Sequence, residues 1–218
     1  MISDGDRSGY LVVPEGVESA PGVLVLHSWW GLSRYFRSVA DRLADEGFVA
    51  LAPDLHLGRT ADTPDAAEAL LADMDPNVVA DLVVSSASVL AGLPVTLDRP
   101  IGVLGFSMGA SWGLWLAARA PQLVQAVVAC YGIQTVDFAA AEAAFQLHAA
   151  EHDELVDDDD LAMLEASLHL DGHEVEVHRY PGTGHWFLEE NRPAAHAPEA
   201  AALAWSRSVG FLHRHLDP

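Results

Sequence analysis

The sequence contains no lysine. All 11 of its basic residues are arginine, set against 32 acidic residues for a formal net charge of -21. Without lysine there is no Schiff-base chemistry and no lysine-dependent phosphate loop. A charge of this sign and size repels phosphates, so nucleic acid is excluded as a partner and the acidity reads as a solvated surface. Cysteine is nearly absent too. The single Cys130 has no intramolecular disulfide partner, and its setting in Val127-Val128-Ala129-Cys130-Tyr131 reads as a small core residue. A cytoplasmic location is the expectation. No apolar run approaches the roughly 18 residues of a transmembrane helix. Met1 to Asp6 lacks the basic region and apolar core of a secretory signal. The histidines are scattered, His-Glu-x-x-His is missing and one cysteine builds no thiolate cluster, so no metal site is expected.

What is present is a chain of 218 residues, half of them hydrophobic, which is enough for one fully formed core; residues 1–218 read as a single domain. Continuous apolar runs such as Val23-Leu24-Val25-Leu26-His27 and Phe48-Val49-Ala50-Leu51-Ala52 suit strands covered on both faces. Tyr10 to Val13 is a short first strand stopped by Pro14. Phe36, Val39, Ala40, Leu43 and Ala44 recur at helical spacing, with Gly47 as the cap. Helices are expected near 65–74, 77–91, after Ser107, over Asp157 to Leu170 and over Pro198 to His215. Further strands are expected at Val124 to Cys130, Ala144 to Ala150 and Glu174 to Tyr180, with Pro181 to His185 a loop. Strands alternating with helices predict an α/β fold with a mostly parallel sheet, which binds ligands at the carboxyl ends of its strands.

The chain is organised around Gly102-Val103-Leu104-Gly105-Phe106-Ser107-Met108-Gly109-Ala110. An apolar strand enters Gly-x-Ser-x-Gly and a helix leaves it, which is the context of a nucleophile elbow. A serine hydroxyl is a poor nucleophile until a base takes its proton and a carboxylate orients that base. Ser107, Asp153 and His185 supply the three groups in the order serine, acid, histidine, each just after a predicted strand. His185 is preferred over the other histidines because it lies in a Gly-rich loop after the last strand. Asp157 to Asp160 read as a solvated helix start and, with Glu151, are the alternative acids. Backbone N–H groups are fixed before charge develops, and those of Met108, by its position, and of Trp29, in the loop after the Val23 to His27 strand, are the expected oxyanion-hole donors. Trp29, Trp30 and Trp186 flank two motif loops and suggest an apolar pocket mouth.

These motifs together resemble the dienelactone hydrolase family. Val23 to Leu32 is similar to its strand and oxyanion loop. Ala52-Pro53-Asp54-Leu55 with Gly58-Arg59 is similar to the segment after its next strand. Gly184-His185-Trp186-Phe187 with Asn191-Arg192-Pro193 is similar to its histidine motif. The resemblance implies a compact α/β-hydrolase fold without a large lid domain, and hydrolysis of lactones and related esters without a cofactor. It also marks two departures. The family's usual nucleophile is cysteine, where this chain has Ser107, and many members carry a glutamate where this chain has Ser28. Family members that bind a substrate carboxylate use arginines. Arg192 matches one such position, and residues 60 to 98 hold no arginine for the other. Ser28, Trp30, Trp186 and Arg192 are thus the expected substrate-binding residues, with a surface ion pair to Glu189 or Glu190 as the other reading of Arg192. The sequence predicts a serine hydrolase for a small ester or lactone. A non-catalytic binding protein of the same fold and an acyltransferase are the alternatives, and the oligomeric state is left open.

Overall fold

The computed structural model describes residues 9–217. Its centre is a seven-stranded sheet in the order β1-β3-β2-β4-β5-β6-β7. The strands are β1 (Tyr10–Val12), β2 (Gly22–Leu26), β3 (Val49–Ala52), β4 (Ile101–Phe106), β5 (Val124–Cys130), β6 (Ala144–His152) and β7 (Val175–Gly184). The short β1 runs antiparallel to β3, and every other neighbouring pair is parallel.

Helices cover both faces, which is why β2, β3 and β4 read as unbroken apolar runs. The helices α1 (Arg34–Asp45) and α6 (Pro198–Leu216) close one face, where Phe36, Leu43, Phe211 and Leu212 meet Val25 and Leu104. On the other face lie α3 (Pro76–Ala91), α4 (Met108–Arg119) and α5 (Asp158–Leu170), which bring Val83, Leu114 and Leu164 against Leu26, Val103 and Phe145. The remaining helix, α2 (Pro64–Ala72), packs Ala67 beside Trp30. Among the described residues there is no large lid domain, and no helix is long and apolar enough to cross a membrane.

Several boundaries differ from the sequence expectation, most of them by a residue or two. β1 stops at Val12 rather than Val13. β6 runs on to His152, and β7 continues through Pro181 and Gly182 to Gly184, so the stretch expected to be a loop is strand. Pro181 is tolerated because β7 is an edge strand with no partner on its outer side. The register slips between Ala150 and His152, and His152 then pairs with Gly184. That slip lets the Glu151 carboxylate accept a hydrogen bond from the Gly182 N–H at 2.7 Å.

After β1 at one edge, the parallel part of the sheet starts at β2 and grows to both sides of it. β3 lies on one side of β2 and β4 on the other, so the sheet reverses its winding between β2 and β4. Crossovers depart to opposite faces there and leave a crevice beyond the strand ends. The residues after β2, at 27–32, and after β4, at Ser107, border that crevice.

Candidate active site

Ser107 occupies φ +52°, ψ −116°, a conformation that side chains with a Cβ rarely adopt. Two features force it. The Ser107 N–H donates to the Cys130 carbonyl at 2.8 Å, which anchors the turn to the end of β5. The chain must then start α4 at Met108, against the end of β2. Gly109 makes the approach possible, because a Cβ there would overlap the carbonyl of Leu26.

The three residues selected by strand order meet. Ser107 Oγ lies 2.7 Å from His185 Nε2. His185 Nδ1 lies 2.7 and 2.8 Å from the two carboxylate oxygens of Asp153. Asp153 Oδ1 also accepts from the backbone N–H groups of Leu155 and Val156, at 2.9 and 3.0 Å, so the carboxylate is held independently of the histidine. The His185 and Asp153 side chains are only 4% and 7% exposed, which strengthens the charge-assisted pair. Three of the alternative acids are occupied elsewhere, Glu151 with the Gly182 N–H as above. Asp157 caps α5 by accepting from the Asp159 N–H, and Asp158 pairs with Arg179 at the surface.

Met108 is the first residue of α4, whose leading N–H groups have no partner within the helix. Trp29 follows Ser28, whose carbonyl accepts from His27 Nδ1 at 2.7 Å and from the Gly31 N–H at 3.2 Å. His27 is fully buried, and burial lowers its pKa to about 3, so its ring is neutral. Its Nε2 accepts from the Leu55 N–H at 3.0 Å, which leaves the ring proton on Nδ1.

Trp29, Trp30 and Trp186 form one aromatic cluster. Trp186 stacks on Trp29 at 5.6 Å and tilts against Trp30 at 5.3 Å. A cavity of about 720 Å³ opens beside it, lined by Trp30, Trp186, His185, His152 and Leu155. Arg192 also lines this cavity, but its guanidinium is engaged. It lies 3.6 Å over the Trp30 ring and donates to the carbonyls of Ala61 and Asp62 at 2.9 and 3.1 Å. It forms no ion pair with Glu189 or Glu190 among the described residues.

Ser28 requires a correction. Placed on the substrate side by its neighbourhood in sequence, it is fully buried instead, and its hydroxyl donates to Glu189 Oε2 at 3.2 Å. Ser28 is the second residue past a strand with no exposed side, and like His27 before it, it stays in the interior. Glu189 is a site-adjacent residue that sequence reasoning missed. It is 0% exposed, and Glu189 Oε1 accepts from the Tyr131 hydroxyl at 3.2 Å. Burial pushes its pKa up to about 8, against the pull of the two hydroxyls and of Arg192. Its position immediately after Phe187 and Leu188 was the available signal, since both neighbours are core residues. Among the described residues no group of three or more histidines, cysteines or acids is arranged to hold a metal ion.

Comparison with known proteins gives the family and the fold. The family model described as "Dienelactone hydrolase family" matches residues 8–216. The chain belongs to the dienelactone hydrolase family. Among relatives of this hydrolase, "Protein usf" of Aquifex pyrophilus is 34% identical over 217 residues, covering 95% of this chain and 93% of that one. A protein of Aquifex aeolicus (strain VF5) named "Putative carboxymethylenebutenolidase" is 32% identical over 217 residues with the same coverage. Among solved structures, a dienelactone hydrolase-like promiscuous phosphotriesterase from metagenomic libraries shares the fold at a TM-score of 0.84. It is 20% identical and covers 97% of this chain and 98% of that one. Family membership supports a hydrolase of lactone or ester type with a small-molecule substrate.

Proposed function

We propose that this family member is a serine hydrolase of a small carboxylic ester or lactone, working as one domain through an acyl-enzyme. The observation that carries the reading is the unbroken chain from Ser107 Oγ to His185 Nε2 at 2.7 Å and from His185 Nδ1 to Asp153 at 2.7 Å. His185 takes the hydroxyl proton on Nε2 as Oγ bonds to the substrate carbonyl carbon. Asp153 holds the ring so that Nδ1–H faces the carboxylate and the imidazolium is stabilised as it forms. The carbonyl oxygen becomes an oxyanion, and the N–H groups of Met108 and Trp29 receive it. The C–O bond to the leaving group breaks, and the alkoxide takes the proton from Nε2. In a lactone the leaving alcohol stays attached to the acyl group. Water then repeats the sequence: it gives a proton to Nε2 and attacks the ester carbon, and Ser107 recovers its proton when the acid departs.

A serine nucleophile fits its surroundings. The position where many members of the family carry a glutamate is Ser28, and no thiolate has to be managed here. Cys130 is no substitute nucleophile, because burial raises its pKa well above the usual thiol range and leaves it fully covered. The aromatic wall of Trp30 and Trp186 suits an apolar acyl or alcohol portion.

The test is labelling with a fluorophosphonate, followed by peptide mapping and by turnover on a panel of lactones and short esters. The expected result is a single adduct on Ser107, hydrolysis of at least one lactone or ester, and loss of both in Ser107→Ala. A folded protein that takes no label and cleaves nothing in the panel would instead be the binding protein. Ester products appearing from added alcohols in place of the free acid would favour acyl transfer.

A further inference from the structure

Three loops meet at Glu189, and each carries one part of the chemistry. Ser28 ends the segment from β2 and precedes Trp29. Tyr131 follows β5 and sits beside the elbow. Glu189 itself belongs to the turn after β7, four residues past His185. Its two carboxyl oxygens are divided between the other loops, Oε2 to Ser28 Oγ and Oε1 to the Tyr131 hydroxyl, both at 3.2 Å. The turn that presents it is closed by Glu189 N–H to Trp186 carbonyl and by Arg192 N–H to Glu189 carbonyl, both at 2.8 Å.

We propose that Glu189 is a positioning residue for the oxyanion site and the catalytic base. It acts through Ser28 on the Trp29 N–H and through Tyr131 on the ring of His185. The inference rests on the serine hydrolase reading above. In a trans peptide the N–H points opposite to the preceding carbonyl. The carbonyl preceding the Trp29 N–H is that of Ser28, and it is held by His27 Nδ1–H and the Gly31 N–H. Glu189 holds the same residue by its side chain. Ser28 is therefore gripped at both its carbonyl and its hydroxyl, and the direction of the next N–H has little freedom left.

The second arm runs through Tyr131. Its ring centroid is 4.9 Å from that of His185, and its N–H donates to the His148 carbonyl at 2.7 Å. Tyr131 holds φ +40°, an unfavourable conformation for a residue with a Cβ, and its hydroxyl bond to Glu189 helps keep it there. A carboxyl group is suited to the place because it presents two oxygens at a fixed angle, one to each hydroxyl. A neutral amide can imitate it, since the serine and tyrosine hydroxyls can turn to accept as well as donate.

The experiment compares Glu189→Ala, Glu189→Gln and Ser28→Ala with the wild type on one ester substrate. It records kcat, KM and the affinity for a boronic acid that mimics the tetrahedral intermediate, with active sites counted by fluorophosphonate. A donor displaced by about 1 Å costs on the order of 100-fold, so Glu189→Ala is expected to lose about 10- to 100-fold in kcat per active site. KM should stay within about threefold, and boronate affinity should fall in step with kcat. Glu189→Gln should recover most of both. Ser28→Ala should lose about tenfold in kcat while keeping the Tyr131 bond, and it decides the matter if Glu189→Ala does not fold. Wild-type kcat per active site in a folded Glu189→Ala, or in Ser28→Ala, overturns the inference. Failure of wild type to label, or full turnover by Ser107→Ala, would instead sink the serine hydrolase reading itself.

Discussion

Arg192 lies 3.6 Å over the ring of Trp30 and donates to the carbonyls of Ala61 and Asp62. The side chain that family resemblance offered as a carboxylate receptor thus fastens the loop after β3 to the turn after β7. Arg192→Ala is expected to reduce stability by about 1–2 kcal/mol, seen as a melting point lower by about 3–6 °C. Its effect on kcat/KM should be the same for a carboxylate-bearing ester and its neutral methyl analogue. A loss more than about tenfold greater on the acidic substrate, about 1.4 kcal/mol of selective binding, would return Arg192 to the substrate-binding set.

Asp153 and Asp157 are close in sequence and opposite in expected consequence. Asp153→Asn should lower kcat by about 10⁴ through loss of the orienting carboxylate, with folding retained. Asp157→Ala should leave turnover intact and cost about 1 kcal/mol, because that side chain caps α5. Steady-state kinetics and urea midpoints on the two variants check both halves. Equal kinetic losses would remove Asp153 from its role.

Glu189 makes stability depend on pH between about 4.5 and about 8. Its pKa rises from 4.5 to about 8 in the folded state, so the folded chain holds a proton that the unfolded chain gives up. Stability therefore falls as pH climbs from about 4.5 to about 8. The groups that face this carboxyl are Tyr35 from α1, Cys130 and Tyr131 from the end of β5, Ser28 and Arg192. None of the first three ionises in that range, since burial raises each of their pKa values. Chemical denaturation of wild type and Glu189→Gln at pH 5 and pH 8.5 should show the variant gaining relative stability at the higher pH. A difference independent of pH would contradict this.

His148 acts in the opposite direction. It is buried with Tyr180, Gln146 and Ser208 around its ring, and burial with His178 and Arg207 nearby lowers its pKa to about 3. The unfolded chain takes up a proton below about 6.5 that the folded chain refuses, so stability falls as pH drops toward 3. His148→Gln should cost stability at pH 7 by loss of the network. That deficit should narrow or reverse at pH 4, read from urea midpoints at the two pH values.

Much of this was legible along the chain. The alternation of apolar runs with helical periodicity follows from burial on both sheet faces, and that burial is written in the composition of β2, β4 and β5. The meeting of Ser107, Asp153 and His185 was readable because each directly follows a strand, and all parallel strands end at one edge. The boundaries of β7 were not readable, because Pro181 and Gly182 are loop residues by local preference and are accepted only on an unpaired edge.

The sequence by itself determined the parallel architecture and which loops gather at the strand ends, since periodicity, glycine placement and strand order are local properties. Only the tertiary structure decided what Ser28, Glu189 and Arg192 do. Each takes its role from a partner far away along the chain, Ser28 and Glu189 being 161 residues apart. Whether a polar side chain faces substrate, solvent or the interior depends on which distant surface folds against it, and a local pattern such as the apolar pair before Glu189 marks burial without naming the partner.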